Sequence, residues 1–155
     1  MSFHSSQFTV ILDACVLYPA PLRDLLMRLT LSGLFRARWA NQIHEEWINA
    51  LLIKRPDITR EQLDRTKTLM NDGALDCLVT GYEFLIDTIT LPDLNDRHVV
   101  AAAIRGQADL IVTTNLKDFP VRTLAIYNRN SYMEINVRHD RGCVQVIPSY
   151  VVDYI

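Results

Sequence analysis

Leu91-Pro92-Asp93-Leu94-Asn95-Asp96-Arg97-His98-Val99-Val100-Ala101-Ala102-Ala103-Ile104, taken with Leu110-Ile111-Val112 and Thr113-Thr114-Asn115-Leu116-Lys117-Asp118-Phe119-Pro120, decides the fold class. The first part reads as an acidic loop followed by an Ala-rich helix, with Asn95 as the expected N-cap and Asp96 in the first turn. Val99 to Ile104 make that helix apolar over most of its circumference, which calls for burial. Gly106 ends it. Leu110–Val112 is short and apolar without alternation, the pattern of a strand covered on both faces. Asp118 then follows the carboxyl end of that strand, the edge of an open α/β sheet where sites collect.

Working outward, Phe8–Leu12 is expected as a first strand with Asp13 at its end. A helix starting near Pro21 should present Leu22, Leu25, Leu26 and Leu29 on one face, with Arg23, Asp24 and Arg28 outside and Gly33 past its end. Leu34–Trp39 reads as a short strand. Asn41 should cap a helix whose shared face is Ile43, Trp47, Ala50 and Leu51. On that helix Glu46 borders the buried stripe, whereas Glu45 aligns with Asn49 and points outward. Thr59-Arg60-Glu61-Gln62 has the form of a capping box opening a polar surface helix. Leu75–Val79 is expected as a strand, Tyr82–Ile89 as a short helix, and Tyr132–Val137 and Cys143–Ile147 as further strands. Alternating strands and helices give an α/β protein with a mainly parallel sheet.

With 155 residues, 49% of them apolar, one domain spanning 1–155 and able to bury a real core is expected. A formal charge of −2 argues against coating nucleic acid through bulk positive charge, while leaving room for local basic patches. The three cysteines, Cys15, Cys77 and Cys143, are far apart and read as small buried hydrophobes of a reducing cytoplasm. No signal peptide or membrane span is expected, because Asp13 stops the apolar run Phe8–Leu12.

Asp13, Glu46, Asp96 and Asp118 come from four separate segments. Carboxylates forced together repel one another unless a cation neutralises them, and all-oxygen ligation suits Mg²⁺ or Mn²⁺. A cation held there activates water and stabilises charge on a phosphodiester. Each acid alone has a plainer role: Asp93 and Asp96 as helix caps, Glu46 as a solvated residue, Asp118 as a turn former. Other chemistries lack support. His44-Glu45-Glu46-Trp47-Ile48 begins like a zincin helix but has Ile48 where the second His belongs. There is no G-x-G-x-x-G, Walker or G-x-S-x-G sequence. Asp13-Ala14-Cys15 lacks the second Asp of a D-x-D phosphatase loop. Cys15, beside a carboxylate that raises its pKa, reads as a core residue, and His98 as a helix-packing or helix N-terminal residue, with a phosphate contact as the lesser alternative.

Val10–Leu17, Ile43–Trp47, Leu91–Ala103 and Ile111–Pro120, in that order and spacing, closely resemble the PIN domain over roughly residues 8–125. The nearest pattern is its bacterial subgroup of VapC-like toxin ribonucleases. The resemblance implies a Rossmann-like three-layer α/β/α sandwich, and metal-dependent endoribonuclease activity with Mg²⁺ or Mn²⁺. It also implies a toxin role in a toxin–antitoxin pair, hence RNA as substrate, a small antitoxin protein as a candidate partner, and a second copy of the chain as another. The family's acids fall on Asp13, Glu46 and Asp96. Where many members read T-x-D-x-D-F, this chain has Thr114-Asn115-Leu116-Lys117-Asp118-Phe119. The fourth acidic position therefore falls to Asp118, with Asp93, Thr114 and Asn115 as additional candidates. Residues 128–155 depart from the pattern and are read as a divergent or truncated end. Arg97, Lys117, Arg23 and Lys54 are candidate substrate contacts among which the sequence does not choose. The competing reading is a PIN-fold binding module with weak or no nuclease activity.

Overall fold

The computed structural model describes residues 8–124, 126 and 127, and the backbone of 134–140 and 143–149. Strands β1 (Thr9–Leu12), β2 (Arg36–Arg38), β3 (Leu110–Thr113), β4 (Glu134–Asp140) and β5 (Cys143–Ser149) form one sheet in the order β2-β1-β3-β4-β5. β1 pairs parallel with both β2 and β3, β3 pairs parallel with β4, and β5 closes the edge antiparallel. The chain leaves β1 for a neighbour on one side and returns to pair on the other. Such a reversal opens a crevice beyond the carboxyl ends of β1 and β3.

The helices are α1 (Ala14–Leu17), α2 (Ala20–Leu31), α3 (Asn41–Lys54), α4 (Arg60–Gly73), α5 (Glu83–Ile86), α6 (Arg97–Arg105) and α7 (Val121–Leu124). Six consecutive residues of α6, His98 to Ala103, are buried, as the apolar run requires. Its three alanines let the helix approach β1 and β3 closely, since interaxial distance follows side-chain size. Gly106 is the C-cap of α6, where a Cβ would lie 2.9 Å from the Ala102 carbonyl oxygen and 3.0 Å from Val79. Every residue of β3 is buried, matching its unbroken apolar sequence. The capping box at Thr59 and Gln62 is present with both of its hydrogen bonds. No helix among the described residues is long and apolar enough to cross a membrane.

Several expectations need correction. Asn41 does not cap α3: Ala40 holds the N-cap position and Asn41 is the first helical residue. Asn95 is not the cap: Asp93 accepts from the Asn95 amide at 2.9 Å and closes a 3-10 turn over Leu94–Asp96, leaving Asp96 at the N-cap of α6. Leu75–Val79 forms no strand, only a parallel bridge between Trp39 and Leu78, because Asp76 turns into the left-handed region with φ 54°. The helix expected over Tyr82–Ile89 shortens to Glu83–Ile86. On α2 the leucine row is only partly covered: Leu26 is buried while Leu25 is 40% exposed. Arg23, expected outside, turns inward, with its guanidinium 4.7 Å from the Trp47 ring centre and donating to the Leu17 carbonyl at 2.7 Å. The cation–π contact and that hydrogen bond compensate its burial. The expected strand start at Tyr132 and Met133 lies outside the described residues.

α3 is anchored by a buried polar network. Trp39 Nε1 donates to Asn71 Oδ1 at 2.7 Å, and Trp47 Nε1 donates to His44 Nδ1 at 3.0 Å. His44 Nε2 therefore carries the proton and donates to Asn71 Oδ1 at 3.0 Å. Neutral imidazole satisfies every partner, and burial pulls the His44 pKa from 6.5 down to about 4. A depressed histidine contributes stability that is full above pH 6.5 and lost as pH falls towards 4. The stability advantage of wild type over His44→Gln should thus shrink by about 3 kcal/mol between pH 7 and pH 4, as read by urea melts. An advantage constant across that range would show that His44 is not held neutral.

Candidate metal centre

Asp13 leaves β1 directly at the crevice and is nearly buried, 5% exposed. Its backbone amide donates to the Val112 carbonyl at 3.0 Å, extending the β1–β3 pairing by one bond. Its side chain caps α1, with Oδ1 accepting from the Ala14 amide at 2.7 Å. Oδ2 accepts from Thr113 Oγ1 at 2.8 Å and from Cys15 Sγ at 3.4 Å. Thr113 is itself held, since its Oγ1 accepts from the Asn115 amide at 3.0 Å. Burial raises the Asp13 pKa, against the lowering effect of these donors. The Cys15 thiol is pushed up too, by burial and by the Asp13 charge, so it is no nucleophile.

Asp13, Glu46, Asp96 and Asn115 line one cleft with Ala14, Cys15, Tyr18, Trp47, Ala50 and Lys54, of about 440 Å³. The two glutamates of α3 are almost equally exposed, so direction separates them. Glu45 turns to α4 and bridges Arg60 at 2.8 Å and Lys67 at 3.3 Å. Glu46 faces the cleft. Asp118 arrives through a 3-10 turn over Leu116–Asp118 and joins Asp93 and Asp96, one carboxylate oxygen of each lying within 4.8 Å of the others. Asn115 Nδ2 donates to Asp118, which holds the loop back on itself. Thr114 is exposed and offers its backbone amide to Cys15 Sγ at 3.3 Å rather than an oxygen to the cleft. Leu116 is half-buried. Asp96 thus stands between two acidic groups, Asp13 with Glu46 and Asp93 with Asp118.

The electrostatics follow from that position. Burial first, then the charges of Asp13, Asp93, Asp118 and Glu46, push the Asp96 pKa from 3.8 up to about 6. The clustered acids offer hard oxygen donors and an excess of negative charge, which a divalent cation such as Mg²⁺ or Mn²⁺ fits.

His98 is the residue that sequence reasoning missed. It is 1% exposed, and Nδ1 lies 2.7 Å from the Asn95 carbonyl oxygen, which can only accept. Nδ1 therefore carries a hydrogen. Nε2 has no well-aligned hydrogen bond, but Glu46 Oε1 is 2.9 Å away, a contact that is repulsive unless a proton sits between them. Burial alone would lower the His98 pKa; the Glu46 contact, the Asn95 carbonyl and the Asp13 charge outweigh it and raise it. His98 thereby tethers Glu46 by one oxygen. The available signal was a histidine inside an otherwise apolar buried run, which needs a polar partner.

A sequence profile described as PIN domain matches residues 9–117. Over 67 residues the chain is 40% identical to VapC50 of Mycobacterium tuberculosis, which is named as a candidate ribonuclease. That match covers 43% of this chain and 39% of the relative, so the chain spans well under half the length of the protein it matches. No solved structure gives a significant match.

Asp96→Asn should raise the melting temperature in EDTA at pH 7.5, because it removes a charge the site disfavours. With Mn²⁺ at a hundredfold excess over its Kd, wild type should gain about 2.7 kcal/mol and Asp96→Asn much less. Equal melting points for both proteins in both buffers would show that the acids do not interact.

Proposed function

Because the chain belongs to the PIN domain family, we propose that it is a divalent-cation-dependent endoribonuclease, working as one PIN-like domain. The single observation that supports this most is the gathering of Asp13, Glu46 and Asp96 around one cleft, where burial and then the neighbouring carboxylates push the Asp96 pKa up to about 6. Mg²⁺ or Mn²⁺ is the proposed ion, held by Asp13, Glu46 and Asp96. Asp93 and Asp118 offer a second position that shares Asp96. When bound, such an ion supplies Lewis acidity and a lowered pKa for water.

The protein's own residues do the arranging. Thr113, Cys15 and the Ala14 amide lock the Asp13 carboxylate in one rotamer. His98 restrains Glu46 from the buried side and leaves its other oxygen towards the cleft. Trp47 and Ala50 floor the space beside the acids, where a phosphodiester would lie. The likeness to VapC50, named as a candidate ribonuclease, supports RNA as the substrate. To this we add a toxin role in the cytoplasm, with a small antitoxin protein as partner and a second copy of this chain as another. The binding-module reading draws on Leu116, which stands where many PIN domains carry Asp. It predicts cation binding without cleavage.

Single-turnover cleavage of a mixed-sequence RNA is the test. Mn²⁺ should support cleavage and EDTA abolish it. Asp13→Asn and Glu46→Gln should each lower the rate at least about a hundredfold, the scale of losing one positioned charge-stabilising group. Glu45→Gln should retain most activity, since its exposed bridges are worth about 1 kcal/mol or less. Tight Mn²⁺ binding with no cleavage of any RNA would favour the binding module, and loss of activity in Glu45→Gln alone would contradict the site.

A further inference from the structure

The four cations open as substrate contacts are separated by what each already does. Arg23 is spent on the Trp47 ring and the Leu17 carbonyl. Arg97 donates to the Leu94 carbonyl at 3.1 Å and lies 3.7 Å from Asp87. Lys117 is exposed on the loop after β3 and does not line the cleft. Lys54 does, and among the described residues it forms no ion pair. It is the only cation among the residues that line the cleft.

Its position follows from helix periodicity. Glu46, Ala50 and Lys54 are spaced i, i+4, i+8 and form one row along α3. Eight residues at 1.5 Å rise place Lys54 about 12 Å along the axis from Glu46, and a helical side chain leans back towards the N-terminus, hence towards the acids. Tyr18 lines the same cleft from the end of α1. The cleft thus runs along α3 from an acidic end, which repels phosphate until a cation fills it, to an end with one free ammonium, and Tyr18 adds an aromatic side chain to its wall. Its roughly 440 Å³ is in the range of small-ligand sites, large enough for about one nucleotide.

We propose that Lys54 and Tyr18 form a subsite for the nucleotide flanking the cleaved bond in single-stranded RNA, with Lys54 on its phosphate and Tyr18 stacked on its base. The proposal rests on the ribonuclease reading above. It selects single strands because a base must be unstacked and turned outward to meet an aromatic side chain, which a duplex does not offer. It makes the subsite tolerant of base identity, since every base has a face to stack.

The test uses the full chain, a labelled single-stranded oligoribonucleotide, and a duplex of the same sequence, with Mn²⁺-supported cleavage and the salt dependence of KM as readouts. Lys54→Gln should raise KM for the single strand about tenfold with kcat within about twofold. It should also flatten the plot of log KM against log salt by about 0.7, the share of one phosphate contact on a single strand. Lys54→Arg should restore both. Tyr18→Phe should match wild type, and Tyr18→Leu should raise KM about tenfold without changing the salt slope. If wild type cleaves RNA while Lys54→Gln keeps its KM and salt slope, the subsite is overturned and the ribonuclease reading survives. Cleavage of the duplex as efficiently as the single strand overturns the single-strand assignment. A wild type that neither binds nor cleaves RNA overturns both readings.

Discussion

Burial of carboxylates beside one another at the carboxyl edge of the sheet is the constraint around which this site is arranged. Asp13 cannot retreat: its backbone continues the pairing of β1 with β3, and both of its oxygens accept hydrogen bonds. Asp96 cannot retreat either, because α6 behind it is buried for six consecutive residues against the sheet. Glu46 is fixed by α3, whose Trp47 and His44 are pinned to Asn71 and Trp39. The cost of burial and of the fixed neighbouring charges together appears as the raised pKa of Asp96.

The same packing explains why the site tolerates that cost. Sheet order β2-β1-β3-β4-β5 puts the reversal of strand order at β1, where the parallel strands β1 and β3 end side by side. The apolar core beneath, from β1, β3, α3 and α6, supplies the stability against which a locally unfavourable cluster is set. Strain of this kind, kept at one edge and paid for elsewhere, is what a binding or catalytic site looks like before its ligand arrives.

Much of this was legible in the residues alone. Unbroken apolar runs over Leu110–Val112 and Val99–Ile104 announced a doubly covered strand and a buried helix, because burial on all sides leaves no room for polar alternation. Helix phase on α3 separated Glu46 from Glu45 in direction, although their exposures are nearly equal. The failures share a cause: local patterns do not say which long-range partner a side chain will find. Arg23 looked solvated until Trp47 offered its ring, and Leu75–Val79 looked extended until Asp76 adopted φ 54°. Asn95 resembled a cap, but Asp93 reaches its amide first and Asn95 gives its carbonyl to His98. The His98 tether to Glu46 joins residues 52 positions apart, a contact that only the folded chain creates.

Coupling of these acids, and its relief by a divalent cation, can be read from the titration of Asp96 followed by carboxyl-carbon NMR. In chelator the midpoint should lie near pH 6, and with saturating diamagnetic Mg²⁺ below the ordinary aspartate value. A midpoint near 4 that Mg²⁺ leaves unmoved would contradict it.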